Sequence, residues 1–138
     1  MSNAIKIESE TVKRIREMFP KPKRCGVSRD DPDAYCVLGA LFKYARLFVP
    51  DLLMAVRPPL NEKLTGVKKT QYLDSVVDAF PTSTYPVELL QKMNCSLDRE
   101  NAQQFASDVM SLNDHGKFGQ AWGKLSEALI YSPEEGCQ

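Results

Sequence analysis

The sequence predicts an all-α fold, a compact single-domain bundle of five to seven helices around a buried central helix at about 32–49. Three observations carry that prediction. Apolar residues recur at helical spacing along most of the chain. No segment alternates polar and apolar residues for more than a few positions, so strand signals are weak. Pro, Gly and Asn interrupt the periodic stretches at intervals suited to short helices.

The elements follow in order. Ser9 is placed to cap a first helix, Glu10 to about Phe19, with Val12, Ile15 and Phe19 on one face. Pro20 and Pro22 end it, and Lys21–Asp30 reads as an exposed basic loop. Asp31 before Pro32 is a helix start, because the carboxylate accepts orphan N–H groups and Pro suits the first turn. The helix it opens, Pro32 to about Val49, is apolar nearly all round: Cys36, Val37, Ala40, Leu41, Tyr44, Ala45 and Phe48 form one broad face, widened by Leu38, Phe42 and Val49. A helix of that pattern belongs at the centre of a domain. Pro50 punctuates the chain, Asp51–Val56 forms another helical turn or two, and Pro58-Pro59 then breaks the chain. Helical spacing returns over Lys68–Phe80 through Tyr72, Val76, Val77 and Phe80. Thr84 is placed to cap a short helix, Tyr85–Met93, and Asn94 suits a left-handed stop. Ser96 or Asp98 starts the next helix, striped by Ala102, Phe105, Ala106, Val109 and Leu112. The last runs Lys117–Tyr131 with Phe118, Ala121, Trp122, Leu125, Ala128 and Leu129 on one face.

A length of 138 residues suits one domain, expected over 9–131 with flexible ends at 1–8 and 132–138. Hydrophobic residues make up 43% and charged residues 26%, which excludes a disordered or fibrous chain. The first 20 residues lack an apolar signal-peptide core, and the longest uncharged apolar run, Ala34–Phe42, is far short of the roughly 20 residues that span a bilayer. The expectation is a cytoplasmic protein with no membrane partner. The four cysteines, Cys25, Cys36, Cys95 and Cys137, include no C-x-x-C pair and read as free thiols.

Net charge is zero, yet residues 1–69 hold 14 Lys/Arg against 8 Asp/Glu and residues 70–138 hold 4 against 10. Such halves can attract one another within a domain or steer a partner. Lys13, Arg14, Arg16, Lys21, Lys23, Arg24 and Arg29 are opposed only by Glu17 within 13–29, and Lys21, Lys23 and Arg24 are the candidate phosphate-binding residues. A solvated face ranks above that reading, because only Phe19 could stack on a base and the sequence pI is 6.6.

Two segments hold the residues that could carry chemistry. One is Asp33-Ala34-Tyr35-Cys36-Val37-Leu38-Gly39-Ala40-Leu41, and the other Leu112-Asn113-Asp114-His115-Gly116-Lys117. A Cys near a helix N-terminus with His and a carboxylate or carboxamide is the makeup of thiol hydrolases and acyltransferases. Cys36, His115 and Asp114 are therefore the catalytic candidates. Core packing of Cys36 and a turn role for His115 rank above that reading. Gly39 is expected at a close helix crossing, Asn113 as a left-handed helix stop and Asp114 as a cap for the last helix. The sequence offers no metal-ligand spacing and no phosphate-cradling Gly loop, so neither metal nor cofactor is expected.

The same two segments resemble an uncharacterised family of small helical proteins from bacteria and their phages. That family shows a Cys-x-x-Gly-Ala-Leu helix, matched here by Cys36, Gly39, Ala40 and Leu41. It also shows a Trp-Asn-Asp turn followed by Gly and a basic residue, matched by Asn113, Asp114, Gly116 and Lys117, with Leu112 in place of Trp. The order of elements corresponds over roughly 9–130, apart from Asp51–Asn94. The resemblance implies a helical fold and a link to phages or mobile elements, and it brings no activity. The expected function is a non-enzymatic helical module that binds another protein or itself. Nucleic-acid binding is the second reading and thiol chemistry the third.

Overall fold

The computed structural model describes residues 10–21, 35–59, 64–79, 84–94 and 96–129. Among them are seven helices and no strand: α1 (Glu10–Met18), α2 (Val37–Phe48), α3 (Pro50–Val56), α4 (Gly66–Ala79), α5 (Tyr85–Met93), α6 (Arg99–Asp114) and α7 (Phe118–Ala128). The all-α prediction holds, at the upper end of the expected helix number.

The central helix is α2, which packs against α1, α3, α4, α6 and α7. Eight of its residues are buried, Val37–Phe42 together with Tyr44 and Ala45. Complete burial of side chains such as Leu38, Leu41 and Phe42 stabilises the fold by about 1.5–3 kcal/mol each relative to exposure. Around α2 the amphipathic helices contribute their apolar stripes: Val12 and Ile15 from α1, Leu73 and Val76 from α4, and Ala102, Ala106 and Val109 from α6. Trp122, Leu125 and Ala128 of α7 complete the enclosure.

Several boundaries follow local signals. Pro50 stands in the first turn of α3, and α5 spans Tyr85–Met93 as its pattern predicts. Asp98 caps α6, its carboxylate accepting from the Asn101 N–H at 2.7 Å. Other boundaries differ. Thr84 occupies the cap position of α5 without a side-chain bond to its N–H groups; its carbonyl instead accepts from Val87 and Glu88. Asn94 is extended rather than left-handed, with φ −141°. Ser9, the start signal at Asp31-Pro32 and the basic residues Lys23, Arg24 and Arg29 lie outside the described residues.

The central helix also starts later than expected, at Val37. Tyr35 and Cys36 are not helical; the Tyr35 N–H donates to the Lys21 carbonyl at 2.9 Å, and the Tyr35 ring meets Phe19 edge-on at 5.1 Å. These contacts tie the chain just before α2 to the end of α1.

A candidate site at the start of the central helix

The first N–H groups of a helix have no partner within it, and in a buried helix each needs one. At the start of α2, two side chains from the two sequence segments meet that need. Cys36 is the N-cap, with extended backbone (φ −69°, ψ 162°), and its Sγ accepts from the Gly39 N–H at 3.2 Å. Asn113, 76 positions away, accepts the Val37 N–H on its Oδ1 at 2.9 Å. Cys36 is 4% exposed and Asn113 1%, so both bonds are made away from water. The segments singled out in the sequence therefore do meet, through the carboxamide of one and the helix start of the other.

Asn113 reaches α2 because it is helical, not a left-handed stop. Ala102, Ala106, Val109 and Asn113 are all buried on α6, and their spacing of three and four puts them on one face. The stop belongs to Gly116, whose φ is 78°. The Lys117 N–H donates to the Leu112 carbonyl at 2.9 Å and the Gly116 N–H to the Asn113 carbonyl at 3.1 Å. This is a Schellman closure, and it requires the positive φ that glycine adopts without steric cost.

The remaining candidates sit differently. Asp114 is the last residue of α6 and is exposed, while the N-cap position of α7 is Lys117, which makes no side-chain cap bond. The N-cap position of the last helix thus falls at Lys117, three residues after Asp114 and beyond the backbone closure at Gly116. His115 is exposed, and its Nδ1 lies 2.7 Å from the Ser111 carbonyl, directing the ring onto its own helix. Gly39 is buried within α2. Lys21 is exposed at the end of the α1 segment, and Lys13, Arg14 and Arg16 are exposed on α1. Among the described residues, no group of three or more His, Cys, Asp or Glu side chains could hold a metal ion. No helix among them is long and apolar enough to cross a membrane.

A residue that sequence reasoning assigned only to a helix end also proves structural at long range. Asn94 is buried; its Nδ2 donates to the Ala128 carbonyl at the end of α7 at 2.6 Å, and its Oδ1 accepts from the Ser96 N–H at 3.0 Å. One carboxamide thus closes a helix start and another a helix end. Their partners lie 76 and 34 positions away, beyond any local pattern.

Comparisons with known protein families, with curated proteins and with solved structures return no match for this chain.

Proposed function

We propose that the chain is a non-enzymatic helical module that binds another protein, in a phage or mobile-element setting. The observation that carries this reading is the engagement of Cys36 and Asn113 in closing the buried start of α2. A thiol nucleophile needs an accessible sulfur with a base in reach. Cys36 instead lies in the core cluster, and His115 is engaged with Ser111 at the surface. The unequal charge of the two halves supports a docking role, since complementary fields orient a protein partner. The resemblance of the two segments to the bacterial and phage family supplies the setting.

The test is capture from a bacterial lysate followed by reconstitution with the purified partner. The expected result is a stoichiometric complex whose affinity is unchanged by Cys36→Ser or His115→Gln. One observation favours a second reading, nucleic-acid binding: Lys13, Arg14 and Arg16 are exposed on the short helix α1. Sub-micromolar affinity for nucleic acid at physiological salt, lost in the Lys21→Glu/Lys23→Glu/Arg24→Glu variant, would replace the protein-binding reading.

A further inference from the structure

We infer that the corner between α2 and α3 is a two-fold contact through which a second copy of this chain docks; the inference rests on the protein-binding reading and names its partner. Leu47 and Phe48 end α2 and are 49% and 55% exposed. They are adjacent, whereas the other exposed large hydrophobics of the described residues, Met18 and Val67, stand singly on α1 and α4. The Phe48 ring packs against the Tyr44 ring at 5.1 Å between centroids, so a core residue holds it at the surface. Half-buried Val49 and Pro50 continue the apolar run into α3.

The charges beside this pair favour a second copy over an unrelated chain. Lys43 precedes Leu47 by one helical turn, and Asp51, in the first turn of α3, follows it by four residues. Among the described residues neither makes an ion pair, whereas Arg46 on the same helix is bonded to Asp74. An unpaired cation thus precedes the apolar pair along the chain and an unpaired anion follows it, a charge order that is complementary to itself when reversed. A two-fold axis through Leu47 and Phe48 sets Lys43 of each copy toward Asp51 of the other, as an isologous contact demands. The zero net charge removes the long-range repulsion that keeps like molecules apart. Two half-exposed side chains per copy make a contact far smaller than the roughly 1,200 Å² of a stable interface, so the dimer is weak and concentration-dependent.

Sedimentation equilibrium over roughly 10 µM to 1 mM protein tests this. The wild-type mass should rise from the monomer toward the dimer across that range, and the Leu47→Glu/Phe48→Glu variant should remain a monomer. Lys43→Glu and Asp51→Lys should each weaken association about threefold or more at low salt, and the Lys43→Glu/Asp51→Lys variant should restore it. Thermal melts establish that each variant is folded; should the apolar variant unfold, the charge reversal decides. A wild-type chain that stays monomeric throughout overturns the inference, as does a reversed pair no better than the single variants. A monomer that still forms a complex with a purified heterologous protein overturns self-association and leaves the protein-binding reading standing.

Discussion

Removing the Asn113 carboxamide tests the link between the two sequence segments. In Asn113→Ala the Val37 N–H loses its acceptor, and both partners are about 1% exposed. An unpaired buried donor costs about 1–3 kcal/mol, and loss of a helix cap about 0.5–2 kcal/mol. These two figures describe the same bond and do not add, which leaves an expected loss of about 2 kcal/mol. For a chain of this size that corresponds to a fall in Tm of about 6–10 °C. Urea unfolding of Asn113→Ala should therefore show a lower midpoint with an unchanged slope. Asn113→Leu separates bonding from packing, because it restores most of the volume and supplies no acceptor; it should recover little of the loss. An Asn113→Leu protein as stable as the wild type would refute the reasoning, since the bond to Val37 would then contribute nothing.

The other predictions concern the helix ends that lie apart from this site. Asn94→Ala should destabilise by about 1–3 kcal/mol in the same urea assay, because it withdraws the donor from the Ala128 carbonyl and the acceptor from the Ser96 N–H. The Tyr72 hydroxyl donates to the Arg57 carbonyl, and burial pushes its pKa above 10.0, opposed by the nearby Arg57 charge. A raised folded-state pKa means that this stabilisation is complete below pH 10 and is lost as pH rises through the folded value. Melting at increasing alkalinity should thus show a loss of stability above pH 10 that is smaller in Tyr72→Phe.

Much of the fold is legible from local signals because those signals agree with the burial that follows. The Tyr85–Met93 pattern sets its helix in the sequence as it stands in the structure, and α3 differs from the expected Asp51–Val56 only by taking in Pro50. The central helix is recognisable from its all-round apolar character, and α2 packs on five other helices. Its start is not recognisable. Asp31-Pro32 is a sound local signal, but the start at Val37 is set by Cys36 as N-cap together with Asn113, a partner that only the folded chain brings near. The place of Asn113 does have a visible sign: it stands four residues after Val109 and seven after Ala106, in the pattern of the α6 stripe, which places it facing the core. The turn propensity of Asn masks this periodicity, and Gly116 is the residue that makes the turn. The bond between Asn94 and Ala128 had no comparable sign, since Asn94 ends a helix whose own pattern is complete without it.

Cys36 closes the start of α2 from within the core, and the proposed non-enzymatic reading requires its thiol to be unreactive there. Brief alkylation of the native protein, read by mass spectrometry at each cysteine, tests it most directly. The account predicts that Cys36 stays unmodified in the folded chain, reacts fully once denaturant unfolds it, and behaves identically in His115→Ala. Rapid and selective modification of Cys36 in the native protein, slowed by His115→Ala, would contradict the account and identify a thiolate nucleophile.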